Sequence, residues 1–249
     1  MRTCLVTGAG RGIGRSVAER LSADGHRVAL VARSKDELED VAASIGGNAL
    51  VLPADLTAPG EVDRVFAEVA RTWGEVEVLV SNAGTGHAAL LIDTTDDDWA
   101  RVLELNLTVP FRCLRRALPA MLDAGWGRVV VVASVVAKRG EAQVSAYAAS
   151  KHGVLGLVRS AAAEVASRGV TVNAVCPGYV DTPMTDATVA GISARTGRPE
   201  PDARRALEKR QPIGRLVTPA EVADVVALCV GNGAINGQGI NVDGGAVQS

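Results

Sequence analysis

A serine, a tyrosine and a lysine in the second half of the chain have a spacing that suits proton-transfer chemistry. Tyr147 follows Ser134 by thirteen positions, and Lys151 follows Tyr147 by four. On a helix, positions i and i+4 share a face, with their side chains adjacent. A free phenol ionises near pH ~10, and a nearby ammonium favours the phenolate and lowers that pKa. The sequence therefore predicts a general acid–base at Tyr147, with the Ser134 hydroxyl bonded to the reacting oxygen.

A Tyr-x-x-x-Lys pair also occurs on exposed helices without a chemical role, so the elements around it decide its meaning. Apolar strand-like runs alternate with helix-like segments throughout the chain, which is typical of a parallel sheet covered on both faces. We predict one Rossmann-type α/β domain over residues 1–249, a doubly wound sheet of seven mostly parallel strands in the order 3-2-1-4-5-6-7. The predicted strands cover residues 3–7, 27–32, 49–56, 76–84, 127–134, 170–178 and 239–245.

Two irregular segments interrupt this alternation. Pro110 lies inside a long helical region that starts near residue 95, and it predicts a break or kink near Asn106. Residues 182–212 are polar and interrupted by glycine and proline. We predict that this segment is a lid inserted over the substrate.

The composition excludes several classes of partner. The 249 residues are 47% hydrophobic and 22% charged with a net charge of −2, which gives no reason to expect a nucleic-acid partner. No apolar run reaches the ~18 residues that a membrane helix needs. The first predicted strand starts at residue 3, so we expect no targeting peptide and a cytoplasmic protein. Four scattered cysteines without paired spacing predict buried thiols and no metal site.

A glycine-rich loop joins the first predicted strand to the first helix. Glycines let the backbone approach a diphosphate closely, and the helix N-terminus offers free N–H groups and partial positive charge to that anion. The spacing departs from the usual G-x-G-x-x-G, but the position in a βαβ unit is the one that dinucleotide binding requires. The predicted contacts are Gly8, Gly10, Arg11, Gly12, Ile13 and Gly14.

The end of the second strand predicts which nicotinamide cofactor binds. An acidic residue there usually holds a 2′-hydroxyl, whereas an arginine holds a 2′-phosphate. Ala32 stands where the acidic residue would be, and Arg33 follows it, so NADPH is favoured over NADH. The alternative is that Arg33 merely faces solvent. Further predicted cofactor contacts follow the second, third and fourth strands: Ser34, Asp55, Leu56, Asn82, Ala83 and Gly84.

In this order and spacing, the motifs resemble those of the short-chain dehydrogenase/reductase family over essentially the whole chain. Within that family the sequence is most similar to the reductases of 3-oxoacyl thioesters, which implies NADPH-dependent reduction of a small-molecule or carrier-bound ketone. Two alternatives are the oxidation of a secondary alcohol and a cofactor-binding regulator without turnover. The motifs are TGAGRGIG at 7–14, SNAG at 81–84, Asn106, Ser134, YAASK at 147–151 and CPG at 176–178.

The resemblance implies a role for each matched residue. Tyr147 would protonate the carbonyl oxygen that Ser134 holds, Lys151 would bind the nicotinamide ribose and lower the tyrosine pKa, and Asn106 would hold a water that returns the proton. The nicotinamide amide would lie against Pro177, Gly178, Val180 and Thr182.

Three further expectations accompany the resemblance. We expect His87 and Gln143 to contact the substrate. Relatives imply a homotetramer built through the long helices of Asn106 and Tyr147. Ser81 replaces the first asparagine of the family's Asn-Asn-Ala-Gly, and we expect it to alter contacts within the sheet without loss of activity.

Overall fold

A single seven-stranded sheet forms the centre of the protein, for which a computed structural model describes residues 1–248. The strand order is β3-β2-β1-β4-β5-β6-β7, and every adjacent pair is parallel. The predicted fold class and strand order are confirmed. The strands are β1 (Thr3–Thr7), β2 (Arg27–Ala32), β3 (Ala49–Pro53), β4 (Val78–Ser81), β5 (Gly127–Val132), β6 (Val170–Pro177) and β7 (Gly239–Val242).

Helices connect the strands, and their starts follow local sequence signals. Ser34 caps the second helix by accepting a hydrogen bond from Glu37 N, and Thr218 with Glu221 forms a complete capping box on the last one. The helices are α1 (Gly12–Ala23), α2 (Lys35–Ile45), α3 (Glu61–Trp73), α4 (Asp96–Leu103), α5 (Val109–Asp123), α6 (Ser145–Val165), α7 (Pro183–Thr196), α8 (Glu200–Glu208) and α9 (Pro219–Gly231).

The sheet has a hydrophobic core on each face. Helices α3, α5 and α6 pack on one face, where Phe66, Leu114 and Met121 are among the largest buried side chains. Helices α1, α2 and α9 cover the other face, around Leu21 and Leu38. The inner strands are buried on both sides, which explains their continuous apolar sequences. This packing fixes the carboxyl ends of the inner strands relative to one another.

The predicted break near Asn106 is present as a π-helical turn. Residues Glu104–Thr108 form this turn between α4 and α5, and Pro110 lies in the first turn of α5. Proline lacks an N–H and cannot continue the α-helical bonding pattern of the preceding turn. The widened turn directs Asn106 inward, where it is 1% exposed.

The segment predicted to be a lid consists of α7, α8 and the residues after them. Its own small apolar cluster joins Val189 on α7 to Ala203 and Leu207 on α8, with Leu216 beyond them. The first residues of α7 reach the cavity described below. Its role as a lid, and the assignment of the whole chain to one domain, stay predictions.

Two kinds of feature are absent from the described part of the chain. None of the helices within residues 1–248 combines the length and the hydropathy needed to span a bilayer. In the same range, no group of three or more histidine, cysteine or acidic side chains is arranged to bind a metal ion. The four cysteines are buried and free, as expected from their spacing.

Candidate functional site

A cavity opens at the carboxyl ends of the central strands, and ten of the predicted site residues line it. Parallel strands place their carboxyl ends at one edge, where sheets of this type bind ligands. The lining residues that the sequence predicted are Ile13, Asn82, Gly84, Ser134, Tyr147, Lys151, Pro177, Gly178, Val180 and Thr182. Thr85, Val132, Ala133, Met184 and Thr185 complete the lining.

Ser134, Tyr147 and Lys151 come together on one wall of this cavity. Tyr147 and Lys151 lie one turn apart near the start of α6, with Lys151 Nζ 5.6 Å from the centroid of the Tyr147 ring. The ammonium donates a hydrogen bond to the Val132 carbonyl at 2.9 Å. Ser134 accepts a hydrogen bond from Val136 N at 3.3 Å and is also hydrogen-bonded to the Tyr147 side chain. The juxtaposition predicted from the spacing is therefore present.

Burial shifts the pKa values of this pair against the sequence-based prediction. Desolvation raises the pKa of Tyr147, and its hydrogen bond with Ser134 opposes that rise only in part. The same desolvation lowers the pKa of Lys151 to about 8. Both effects have one cause, because a buried site penalises the charged form of either group. Lys151 is not among the groups that shift the pKa of Tyr147 in the described chain, and its lowering of that pKa in the working site stays a prediction.

The inward-facing Asn106 connects Thr85, in the loop after β4, to Ser150 on α6. Its Oδ1 accepts a hydrogen bond from Thr85 N at 2.9 Å, and its Nδ2 donates to Thr85 O at 2.9 Å and to Ser150 Oγ at 3.1 Å. A Cβ atom on Gly84 would lie 3.2 Å from Asn106 Oδ1 and 3.7 Å from Lys151 Nζ. The amide oxygen and the ammonium nitrogen therefore both lie within 4 Å of the position that a side chain at residue 84 would take, and the water expected between them stays a prediction.

The glycine loop has the conformation that close approach to a diphosphate requires. Gly8 and Gly12 have φ values of +65° and +55°, which side chains rarely adopt. A Cβ on Gly14 would lie 2.1 Å from Gly8 O, so glycine also allows α1 to pack against the loop. Arg11, at the N-cap of α1, forms no side-chain capping bond, which leaves the first N–H groups to an anion.

Asn82 holds this loop from the neighbouring strand. Its Nδ2 donates to Thr7 O at 3.0 Å and to Gly8 O at 3.2 Å. In return, Thr7 Oγ1 accepts hydrogen bonds from the backbone N–H groups of Asn82 and Ala83, both at 2.9 Å. Asn82 thus lines the cavity and also fixes the turn that precedes α1. Ala83 takes part in these hydrogen bonds through its backbone N–H, and the next residue, Gly84, lines the cavity.

Arg33, which the sequence predicts to favour NADPH over NADH, lies between β2 and α2, and Arg11 of the glycine loop approaches the first turn of α2. Arg33 is exposed, and Arg11 Nη1 lies 3.6 Å from Glu37 Oε1. Glu37 also crowds the loop, since a Cβ on Gly10 would lie 2.8 Å from its Oε2. The sequence gives no sign of this role, because Glu37 lies in the first turn of α2, where acidic residues are common.

The two contacts predicted after the third strand have different surroundings. Hydrogen bonds from Thr57 are the main reason that the pKa of Asp55 is lowered, and the charge of Arg33 contributes. Asp55 is exposed and therefore free to meet a ligand. Leu56 is 5% exposed and packs in the core beside α3, so its side chain is directed away from the cavity.

Three other predicted positions do not join the cavity lining. His87 Nδ1 lies 3.6 Å from Asp98 Oδ1, and its Nε2 is buried without a partner in the described residues. Gln143 is exposed with φ +66°, and its carbonyl accepts a hydrogen bond from Ala89 N. Their contacts with substrate stay predictions. Ser81 Oγ is buried and, within residues 1–248, has no hydrogen-bond partner, so we find no polar contact of this hydroxyl in the sheet.

Comparisons with known proteins agree with this geometry. Residues 2–192 match the family model described as short chain dehydrogenase. The 3-oxoacyl-[acyl-carrier-protein] reductase FabG of Salmonella typhimurium is 37% identical over 246 residues, covering 98% of this chain and 96% of that protein. A putative ketoacyl reductase of Streptomyces coelicolor is 39% identical over 248 residues, covering 97% and 95%. A crystal structure of a variant of actinorhodin polyketide ketoreductase with NADPH superposes with a TM-score of 0.95, 38% identity and coverage of 98% and 97%.

Proposed function

The chain belongs to the short chain dehydrogenase family, and from that premise we propose that it reduces a ketone to a secondary alcohol with a nicotinamide cofactor. The observation that carries this proposal is the convergence of Ser134, Tyr147 and Lys151 on a cavity that the glycine-loop residue Ile13 also lines. A proton donor and a dinucleotide loop at one cavity are the two parts that a hydride-transfer enzyme requires.

The chain's own residues supply the proton and hold the carbonyl. The Ser134 hydroxyl is oriented by Val136 N and donates a hydrogen bond to the carbonyl oxygen of the substrate. Tyr147, which its surroundings keep protonated, transfers its proton to that oxygen as negative charge develops there. Lys151 stabilises the phenolate that remains, and its proximity to the ring suits this task. A water bound between Asn106 and Lys151, which both approach Gly84, returns the proton to the tyrosine.

The residues present fit a nicotinamide dinucleotide. The positive-φ glycines and the uncapped start of α1 suit its diphosphate, and Lys151 suits its nicotinamide ribose. The bound cofactor supplies the hydride. We propose NADPH as the preferred form, because Arg33 and Arg11 both lie at the end where a 2′-phosphate would bind and Ala32 leaves no acidic side chain there.

The substrate that we propose is a 3-oxoacyl thioester, carrier-bound or as a CoA ester, or a related polyketide. Two relatives named as ketoacyl reductases match nearly the whole of this chain, and the similar ketoreductase structure is named for a polyketide. The homotetramer and the cytoplasmic location stay predictions, and size-exclusion chromatography with light scattering will test the first.

Oxidation of the cofactor tests the proposal directly. NADPH consumption should be measured with acetoacetyl-CoA, longer 3-oxoacyl thioesters, and simple and cyclic ketones, and the reverse reaction with the matching alcohols. Tyr147→Phe should lower kcat for reduction about 10²–10⁴-fold and retain cofactor binding, because only the proton donor is lost. Turnover that persists in Tyr147→Phe would refute the assigned role, and a wild-type protein that binds cofactor without turning over any substrate would favour a regulator.

A further inference from the structure

Gln211 is a buried amide that the mechanism above does not use. It follows the end of α8 by three residues and is 1% exposed. Its Oε1 accepts a hydrogen bond from Tyr179 N at 3.0 Å, and its Nε2 donates to Tyr179 O at 3.1 Å. The Nε2 group also donates to Arg215 O at 2.7 Å. An amide bonded at both ends to one residue's backbone constrains the conformation of that residue.

Tyr179 belongs to the backbone segment that forms one wall of the cavity. Pro177, Gly178 and Val180 line the cavity on either side of it. A Cβ on Gly178 would lie 2.3 Å from Gln211 Oε1, so the amide occupies the space of a side chain at that position. Glycine at 178 and glutamine at 211 are therefore complementary, and together they set how this wall faces the cavity.

The other hydrogen bonds of residues 177–180 do not replace the two bonds between Gln211 and the backbone of Tyr179. Tyr179 O also accepts a hydrogen bond from Val217 N at 3.0 Å, and Gly178 N donates to Val242 O at 3.0 Å. The Tyr179 N–H, in contrast, donates to Gln211 in the part of the chain that the structure describes. Without that acceptor, a half-buried donor would lose its partner, and the segment would relax toward water.

We propose that Gln211 is a positioning residue for the nicotinamide half of the cofactor. The inference rests on the proposed function and on the contact with the nicotinamide that the family resemblance implies for Pro177 and Gly178. Gln211 holds these residues from behind and does not line the cavity itself. The glycine loop, which binds the diphosphate end, is stabilised separately by Asn82. Loss of Gln211 therefore weakens binding of the nicotinamide end and leaves binding of the adenosine end unchanged.

Gln211→Met tests whether only the nicotinamide end of the cofactor is affected. Methionine has the same length as glutamine and cannot form the amide's hydrogen bonds. Dissociation constants should be measured for NADPH and for 2′-phospho-ADP-ribose, which lacks the nicotinamide. We expect at least about tenfold weaker NADPH binding, and fragment binding within about twofold of wild type.

Asn173→Leu is the matched control. Asn173 is an equally buried amide whose Nδ2 donates to Ile235 O at 2.7 Å and whose Oδ1 accepts from Gln238 N at 3.1 Å. It clamps a backbone segment that does not line the cavity. Asn173→Leu should lower stability but leave the ratio of the two dissociation constants at its wild-type value, because its role is structural.

Gln211→Glu supplies a second readout that keeps the side-chain length. The ionised carboxylate still accepts from Tyr179 N but cannot donate to Tyr179 O, whereas the protonated acid regains one donor. Burial raises the pKa of such a carboxyl, so the ratio should approach the wild-type value below pH ~6. At pH ~8 it should move toward the Gln211→Met value, because the carboxylate repels the carbonyl oxygens of Tyr179 and Arg215 to which the amide donates.

Two outcomes would overturn the inference while the proposed function stands. One is an unchanged ratio of dissociation constants in both Gln211 variants, and the other is an equal change of that ratio in Asn173→Leu. A wild-type protein that binds neither NADPH nor NADH would instead overturn the proposed function.

Discussion

Replacing Arg33 with alanine should shift the cofactor preference from NADPH toward NADH. Arg33 is exposed just beyond β2, and its charge contributes to the lowered pKa of Asp55, so it lies on the side where we propose that the adenosine binds. Arg11, the second cation at that end, lies 3.6 Å from the carboxylate of Glu37, which partly neutralises it. Arg33 is therefore the cation with more of its charge available to a 2′-phosphate.

The size of the effect follows from the exposure of the groups. A hydrogen bond between charged groups contributes about 1.5–3 kcal/mol, and each 1.4 kcal/mol is a factor of ten. Solvent screening at an exposed site favours the lower end of that range. We therefore expect Arg33→Ala to lower kcat/KM for NADPH about tenfold and to leave the value for NADH within about twofold.

Glu37→Gln should have the opposite effect on kcat/KM for NADPH. Removing the carboxylate releases Arg11 and removes a repulsion with the 2′-phosphate, so kcat/KM for NADPH should rise about three- to fivefold. The effects of both substitutions on kcat/KM for NADPH should be smaller at high salt, because screening weakens interactions between exposed charges.

Steady-state kinetics with both cofactors, at low and high ionic strength, measures these ratios. Arg168→Ala is the matched control, since this exposed arginine precedes β6 at the opposite edge of the sheet. An unchanged ratio in Arg33→Ala, or wild-type rates with NADH equal to those with NADPH, would refute the reasoning.

Three further predictions concern groups that the structure places in the site or directly behind it. Burial lowers the pKa of Lys151 to about 8, so the lysine loses its charge above that pH. We therefore expect kcat/KM for reduction to fall on the alkaline side of a pH–rate profile. A flat profile up to pH ~10 would contradict this. Gly84→Ala would put a methyl group against Asn106 Oδ1 and Lys151 Nζ, and it should reduce kcat about tenfold or more, as single-turnover measurements at saturating cofactor will show. Ser81→Ala removes a buried hydroxyl that has no hydrogen-bond partner among the described residues. Chemical denaturation should therefore give a free energy of unfolding equal to that of wild type or higher by up to about 1 kcal/mol. A free energy of unfolding more than about 1 kcal/mol lower than wild type would reveal an unrecognised hydrogen bond.

The local features of this protein follow from its sequence because their causes lie within a few residues. The apolar runs predict β1 and β2 with their observed ends, and the cap at Ser34 follows from the residues beside it. The side-by-side placement of Tyr147 and Lys151 needs only helical periodicity. Other strand ends, such as that of β3 at Pro53 rather than residue 56, depend on where pairing with the neighbouring strand stops.

Interactions between distant residues are visible only in the tertiary structure. The Tyr147 pKa is raised although its sequence neighbour Lys151 would lower it, because burial is set by all the elements packed around the pair. Gln211 bonds Tyr179 across 32 positions of the chain, and no local pattern marks either residue. The sequence by itself determined the chemical groups and their local order. The packing of distant elements decided the direction in which burial shifts their pKa values and the long-range hydrogen bonds that support them, since both depend on what surrounds a group in space.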